Sequence, residues 1–299
     1  MFRFLGFNRP KPRTIAERLV AEGNAASDEG RKEVAEGLYR QAIKADPTWA
    51  VPHFNLGLAA KYGGRWRESL LFNREAVRLS PDDEGAWWNL GIAATALGDW
   101  TEARRAWKAC GVDLAPGDGP PDGDMGVVPV RLDPEGRGEV VWSRRLDPAR
   151  ARIINIPLPG SGFRFGDQVL TDGAAVGHRV REGRKLPVFN VLRRLEISPL
   201  RTFVGGVKVS TQEDWETLAG LAEEAGGAAE DWANSVQSFC KACSEGTLDP
   251  GCSHGFPQGE QACAIAARDE AHLHDVLQRW RKAIRGMETG TWRPVEEVQ

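Results

Sequence analysis

The sequence predicts a multidomain protein of the α plus α/β class, with an N-terminal α-solenoid of three helical hairpins, a strand-rich small barrel or curled sheet, and a C-terminal α/β sandwich. Three observations predict it. A glycine recurs every 34 residues in the first third, short β-branched runs separated by glycines follow, and a last segment alternates strand and helix patterns. The chain has 299 residues, which is long enough for two or three domains, and its net charge is −3.

The 34-residue period is carried by small residues at fixed positions. Gly23, Gly57 and Gly91 are followed nineteen residues later by Ala42, Ala76 and Cys110, and sixteen residues later by Tyr39, Asn73 and Trp107. Small residues at such points let paired helices cross closely. Pro47 and Pro81 end the first two units, because proline cannot continue a helix. The period therefore predicts three stacked helical hairpins.

This pattern resembles the tetratricopeptide repeat, with units at residues 16–49, 50–83 and 84–117. The resemblance covers little more than a third of the chain. It implies a module that binds other proteins, in which the first helix of each hairpin lines a concave groove. Carried over position by position, it implies a peptide-binding groove that contains Asn24, Phe54, Asn55, Leu58, Lys61, Trp88, Asn89 and Ile92.

The same resemblance bears on the ligand of this groove. Asn24 and Asn55 fall where chaperone-binding members place the asparagines of a carboxylate clamp, but Val20, Gly85 and Asn89 stand where that clamp has two lysines and an arginine. Without those cations a terminal carboxylate lacks its charge-assisted hydrogen bonds, so we expect an apolar or helical segment of a protein partner. An equally weighted alternative is that the chain's own N-terminal arm or C-terminal half covers the groove.

The end of the repeat array needs a cover. No polar helix follows the third hairpin, so we expect the C-terminal half to dock on that hairpin. No apolar run approaches the roughly 18 residues that a membrane helix needs, and cysteine usage favours a reducing compartment, so we expect a cytoplasmic protein without a membrane partner.

The predicted domains are an arm at residues 1–15, the repeats at 16–117, a linker at 118–126, a strand-rich domain at 127–200 and an α/β domain at 201–299.

The strand-rich domain combines six short strand patterns with positive charge. The strands are expected at residues 127–132, 139–146, 151–158, 167–172, 175–180 and 185–192. Residues 127–201 contain 14 Lys or Arg against 8 Asp or Glu, whereas residues 202–299 contain 8 against 16. An alternative function is therefore a nucleic-acid or ribosome-associated factor, unless this charge faces the acidic segment. Its contacts would be Arg144, Arg145, Arg150, Arg152, Arg184 and Lys185.

The last segment has the pattern strand, helix, helix, strand, helix. A strand at 202–210 precedes a helix at 211–225, whose capping box is Ser210 with Glu213. A second helix is expected from about 229 to 243 and a strand at 262–267. Asp269 caps the final helix, which presents Leu273, Val276, Leu277, Trp280 and Ile284 on one face.

A cluster of thiols and one imidazole indicates a metal site within the C-terminal α/β sandwich. Cys240 and Cys243 form a CxxC pair, and Cys252 and His254 follow across a glycine-containing loop. Zn²⁺ prefers this ligand set, and a closed four-ligand site stabilises a loop instead of catalysing. Cys263 is the alternative fourth ligand, or a buried core residue.

These patterns favour a protein–protein interaction scaffold or adaptor with a structural zinc loop. The sequence contains neither the glycine-rich phosphate loops nor the HExxH pattern of common enzymes, and the PGSGF segment at residues 159–163 lacks the GxSxG spacing of a nucleophile elbow. We therefore expect no enzyme activity. A metal- or thiol-dependent enzyme is the second alternative.

Overall fold

The computed structural model describes residues 11–136, 138–181, 183–208, 211–232, 262–284 and 288–295. The chain divides into two compact units, Met1–Pro121 and Asp122–Gln299. Among the described helices, none is both long enough and apolar enough to cross a membrane.

The described part of the first unit consists of three antiparallel helical hairpins, as the period predicts. Its helices are α1 (Pro12–Asp28), α2 (Lys32–Ala45), α3 (Ala50–Tyr62), α4 (Trp66–Leu79), α5 (Glu84–Leu97) and α6 (Trp100–Ala109). Helix α1 starts four residues before the predicted first unit, because Pro12 has a φ that suits the first helical position. Gly30, Gly64 and Gly98 form the turns within the three hairpins with φ of 77°, 67° and 71°.

The recurring glycines are the points at which the two helices of each hairpin meet. A Cβ on Gly23 would lie 2.5 Å from the Tyr39 ring. A Cβ on Gly57 would lie 2.5 Å from the Asn73 amide, and one on Gly91 would lie 2.6 Å from the Trp107 ring. Real Cβ atoms do not approach other atoms this closely, so a larger residue at any of these positions would displace the facing side chain. The sixteen-residue spacing in the sequence is therefore a direct helix–helix contact.

The second unit begins with a closed five-stranded barrel. Its strands are β1 (Val127–Arg131), β2 (Val140–Arg145), β3 (Arg150–Ile153), β4 (Gln168–Arg181) and β5 (Arg184–Glu196). Neighbouring strands are antiparallel except for the closing β1–β5 pair, which is parallel. Valines, alanine, leucine and isoleucine fill the interior.

The sequence predicts six strands here, and the barrel has five. The patterns at 167–172 and 175–180 belong to one long strand, β4, whose pairing with β5 shifts register between Thr171 and Ala175. Such irregularities let a strand bend and continue without a turn.

A second sheet completes this unit. Its strands are β6 (Arg201–Lys208), β7 (Ala228–Asp231), β8 (Ala262–Ala267), β9 (Glu288–Thr289) and β10 (Arg293–Pro294), in the order β10-β6-β8-β7, with β9 also paired to β6. Helices α7 (Gln212–Glu224) and α8 (Glu270–Ala283) pack on one face, against Phe203, Val207, Cys263 and Ile265. As predicted, Asp269 caps α8 by accepting a hydrogen bond from the His272 N–H at 2.8 Å.

The opposite face of this sheet packs on the chain that follows β3. Ile156 contacts Ala264, Ala266 and Trp232 in one buried cluster. The indole of Trp232 donates to the Ile156 carbonyl at 3.0 Å, and Glu230 accepts from the Ile156 N–H at 2.6 Å. The strand β8 is therefore covered on both faces, which explains why its sequence is apolar without alternation.

Two local predictions for this region are wrong. The capping box is formed by Thr211 and Asp214, one residue later than predicted, and both of its hydrogen bonds are present at 3.1 and 2.9 Å. The sequence predicts that a helix begins at about residue 229, but Ala228–Asp231 is a strand because it pairs with β8. Residues 233–243 of that predicted helix lie outside the described part of the chain.

Candidate peptide-binding cavity of the repeats

A cavity of about 560 Å³ lies between the first two hairpins. Three predicted groove residues, Asn24, Asn55 and Leu58, line it. The other lining residues come from the end of α1, the start of α2, the end of α3 and the turn after α3. They are Ser27, Asp28, Lys32, Glu33, Ala35, Glu36, Tyr39, Ala59, Tyr62, Gly63 and Arg65.

The asparagines are held by a hydrogen-bond network. Asn24 Oδ1 accepts from the Tyr39 hydroxyl at 2.9 Å and from Asn55 Nδ2 at 3.1 Å. Tyr39 reaches Asn24 because Gly23 leaves room for its ring against α1. These bonds use neither Asn24 Nδ2 nor Asn55 Oδ1. The lining therefore includes one amide donor and one amide acceptor that these bonds do not use, the combination that a peptide group needs.

The phenol of Tyr39 keeps its proton in this network. Burial raises its pKa above the ordinary tyrosine value, and the negative charge of Asp28 raises it further. The hydroxyl is therefore a donor at neutral pH, and it orients the Asn24 carboxamide.

Charged side chains form the rim of the cavity and link its two hairpins. Glu36 of α2 accepts a hydrogen bond from Arg40 at 3.1 Å, and another from Arg65, which precedes α4. The hydrogen bond that Arg65 donates to Glu36 is the main cause that raises the pKa of Arg65. With Asp28, Glu33 and Lys32 also at the rim, the cavity is more polar than the apolar groove that the sequence predicts.

The remaining predicted groove residues do not line this cavity. Ile92 and Asn89 of α5 are 0% and 6% exposed, and Lys61 is 4% exposed with its ammonium 4.5 Å from the centre of the Tyr62 ring. Phe54 packs on the cluster formed by the end of α4 and the start of α5. Trp88 meets Trp107 edge-on at 5.2 Å. The predicted groove residues that line this cavity therefore belong to the first two hairpins.

The six basic residues predicted for nucleic-acid contact have different environments. Arg144 pairs with Asp124, and Arg150 pairs with Asp147 at 2.6 Å in a buried ion pair. The guanidinium of Arg145 lies 4.5 Å from the centre of the Phe189 ring, and burial lowers its pKa. Arg145 and Arg150 therefore contribute to the barrel itself, whereas Arg144 takes part in a surface ion pair. The exposed positions are Arg144, Arg152, Arg184 and Lys185.

The predicted zinc ligands Cys240, Cys243, Cys252 and His254 lie outside the described residues. The alternative ligand, Cys263, is 1% exposed in the core between β8 and the two helices. Its thiol donates to the Gly205 carbonyl at 3.2 Å, and burial raises its pKa to about 12. This is the environment of a core thiol. In the described part of the chain, no three His, Cys, Asp or Glu side chains are grouped to hold a metal.

The hairpins and their glycine contacts define the first unit as a helical-repeat module of the solenoid class. Residues 54–118 match the family model of the tetratricopeptide repeat, so the chain contains a tetratricopeptide-repeat segment. No curated protein matches the chain significantly.

Several solved tetratricopeptide-repeat domains are similar to about a third of the chain. The second such domain of Spaghetti (RPAP3), solved with the HSP90 peptide SRMEEVD, is 26% identical and covers 32% of this chain and 90% of its own, with a TM-score of 0.31. The Sgt2 domain from Aspergillus fumigatus is 26% identical, and the match covers 31% of this chain and 62% of the Sgt2 chain, with a TM-score of 0.30. The Arabidopsis OM64 domain is 21% identical, and the match covers 32% of this chain and 80% of the OM64 chain, with a TM-score of 0.31.

The contribution of α2 and of the turn after α3 to the cavity does not follow from the family pattern. Tyr39, Glu36 and Arg65 come from these parts, whereas the family pattern assigns the groove to the first helix of each hairpin. The available signal was the polarity of Tyr39 at a position where the third repeat has an interior tryptophan. A hydroxyl on a core position needs a partner, and that partner is Asn24.

Proposed function

We propose that this chain is a protein-interaction adaptor whose repeat segment binds a peptide segment of a partner protein in the cavity between the first two hairpins. The observation that carries the proposal is that Asn24, Asn55 and Leu58, three positions implied by the family resemblance, line one cavity. Its volume of about 560 Å³ lies within the ~300–1,000 Å³ of ordinary ligand sites.

The lining defines the chemistry of the segment. Asn24 Nδ2 and Asn55 Oδ1 suit a backbone peptide group, while Leu58 and Tyr62 offer apolar surface for one side chain. The lining contains three carboxylates and two cations, so a terminal carboxylate gains no net attraction. The carboxylates are Asp28, Glu33 and Glu36, and the cations are Lys32 and Arg65. An internal segment with an apolar side chain fits better than a free C-terminus.

The test selects short random peptides on the full chain and measures their affinities by calorimetry. We expect Leu58→Glu to abolish binding of the selected peptides, because it places a charge against their apolar side chain. Asn55→Ala should weaken binding about tenfold, which corresponds to one hydrogen bond of about 1.4 kcal/mol. Leu71→Glu is the matched control, since Leu71 is 60% exposed on α4 and does not line the cavity.

Two results would contradict the proposal. One is a selection that enriches no peptide, and the other is equal binding to the unchanged chain and to a folded Leu58→Glu variant. Deleting residues 1–10 addresses the alternative in which the chain covers its own groove. If that arm occupies the cavity, the deletion raises the affinity of every selected peptide. If it does not, the affinities stay the same.

A further inference from the structure

A small cavity in the second unit is lined by both the barrel and the second sheet. Its volume is about 80 Å³. The lining comes from the loop between β3 and β4, the end of β5 and the residue after it, the start of β6 and the position after β10. One buried water needs about 10–15 Å³ of such space, so the cavity holds roughly five to eight atoms of that size. A phosphate group, which is one phosphorus and four oxygens, fits this volume.

The walls of the cavity carry positive charge. Arg164, Arg194 and Arg201 line it, and no carboxylate is among its described lining residues. The first belongs to the loop between β3 and β4, the second to β5 and the third to β6. Arginines that meet from three elements of one folded unit favour an anion as the ligand.

Arg194 is oriented by contacts at one nitrogen of its guanidinium. Its Nη1 donates to the Gly162 carbonyl at 2.5 Å and to Asp167 Oδ2 at 3.2 Å. The guanidinium also lies 5.4 Å from the centre of the Phe163 ring. These hydrogen bonds use only Nη1, so the N–H groups on Nε and Nη2 are left for a ligand. The side chain is 33% exposed, which gives a ligand access to it.

The carboxylate of Asp167 positions Arg194 without cancelling the charge of the walls. Asp167 is fully buried and does not line the cavity. It also accepts hydrogen bonds from the N–H of Arg164 at 3.0 Å and from the N–H of Ser198 at 2.7 Å. Even without Arg164, the pair Arg194 and Arg201 gives two cations against this one carboxylate.

Arg201 is the second cation that a ligand can reach. It is the first residue of β6, where its backbone pairs with Ala267, and its side chain is exposed. In the described part of the chain, no ion pair occupies its guanidinium. All of its N–H groups are therefore available to an anion in the cavity.

We propose that this cavity binds the phosphate group of a small phosphate monoester, with Arg194 and Arg201 as its cationic ligands. Such a phosphate carries close to two negative charges at neutral pH and has three terminal oxygens, so each guanidinium can bind separate oxygens. A carboxylate has one charge and two oxygens, which a single arginine satisfies. The apolar lining residues Leu158, Phe163 and Ile197 offer surface to the organic part of the ester, which free phosphate lacks.

The test is calorimetric titration of the full chain with phenyl phosphate, inorganic phosphate and benzoate in a low-salt buffer that contains no phosphate. We expect phenyl phosphate to bind about tenfold more tightly than either of the others, because inorganic phosphate lacks the ring and benzoate lacks the second charge. R201Q should weaken phenyl phosphate binding at least about tenfold, through the loss of charge-assisted hydrogen bonds. Ile197→Glu should abolish binding, because it adds a negative charge to the cavity. Ile197 is 57% exposed, so this variant should fold normally.

The control removes the same charge from another exposed position of the second unit. Arg184 does not line the cavity, so R184Q should bind phenyl phosphate like the unchanged chain. Leu58→Glu should also bind it normally, which separates this site from the peptide cavity.

Four results would overturn the proposal. Two are the absence of phenyl phosphate binding up to about 10 mM and equal binding by the unchanged chain and by folded R201Q or Ile197→Glu. The third is benzoate binding as tight as that of phenyl phosphate, which would replace phosphate by a carboxylate. The fourth is equally tight binding of inorganic phosphate, which would remove the assignment to a monoester.

Discussion

Replacing Gly91 by alanine should destabilise the repeats, although alanine is the better helix former. The new Cβ would lie 2.6 Å from two atoms and 2.7 Å from a third atom of the Trp107 six-membered ring. Carbon atoms normally approach to about 3.5–4.0 Å, so the overlap is about 1 Å. Trp107 is fully buried and meets Trp88 edge-on, so its ring has little room to move.

Two opposing effects set the change in unfolding free energy caused by Gly91→Ala. Overpacking a buried contact costs about 1–3 kcal/mol, and this rigid ring places Gly91→Ala near the upper value. Alanine in a helix interior recovers about 1 kcal/mol relative to glycine. The expected net loss is about 2 kcal/mol of unfolding free energy. Gly37 of α2 has no atom within 4 Å of an added Cβ, so Gly37→Ala should instead stabilise the chain by up to about 1 kcal/mol.

The assay is urea unfolding of the full chain, followed by far-ultraviolet circular dichroism. A loss of about 2 kcal/mol should lower the midpoint of the helical transition by about 1 M urea. The decisive comparison uses Trp107→Phe, because a phenyl ring lacks the outer atoms that the new Cβ would meet. Gly91→Ala should be nearly neutral in that background. An equal loss in both backgrounds, or an unchanged midpoint for Gly91→Ala alone, would refute the steric explanation.

Four further predictions concern other parts of the chain. A peptide that ends in a free carboxylate should bind this chain at least about a thousandfold more weakly than it binds a domain with a complete carboxylate clamp, because three absent charge-assisted bonds represent about 4.5 kcal/mol. Calorimetric affinities within tenfold of each other would contradict this. Cys263 should resist alkylation in the native chain, because its thiol is buried and its pKa is raised to about 12; mass spectrometry that finds it modified as fast as in denaturant would disprove this. Atomic absorption should find stoichiometric zinc in the purified chain. The Cys240→Ser variant should lose this zinc and the Cys263→Ala variant should keep it, whereas a metal-free preparation of the unchanged chain would exclude the zinc loop. Asp147→Ala should destabilise the second unit by about 3–5 kcal/mol in thermal unfolding, because it removes the carboxylate that forms an ion pair with the buried Arg150. Adding Arg150→Met should recover part of the loss.

The sequence predicts the repeat segment well because its signals are local and recur. A glycine and the residue sixteen positions later belong to one hairpin, so the spacing of Gly91 and Trp107 is also a contact. The strand Ala228–Asp231 shows the opposite case. Its residues suit a helix locally, but it pairs with Ala262–Ala267, more than thirty residues later. Pairing over such a separation leaves no periodic signal in the segment itself.

The candidate sites were predictable only in part, for related reasons. Family positions identify Asn24, Asn55 and Leu58, but only the packed helices show that Ile92 is buried. Counting charges identifies a basic segment, but it does not distinguish a buried, paired arginine such as Arg150 from an exposed one. That difference depends on which carboxylate each guanidinium meets after the barrel has closed.

The strand order of the second sheet has a consequence for synthesis of the chain on the ribosome. Strand β6 lies between β8 and β10, so its outer edge is fully paired only when Arg293–Pro294 has been made. Arg201 and Arg293 are 92 positions apart, which corresponds to roughly 5–18 s of translation at about 5–20 residues per second. During that interval an apolar strand presents unpaired backbone groups to neighbouring nascent chains. The helical hairpins, whose contacts are local, are complete long before it begins.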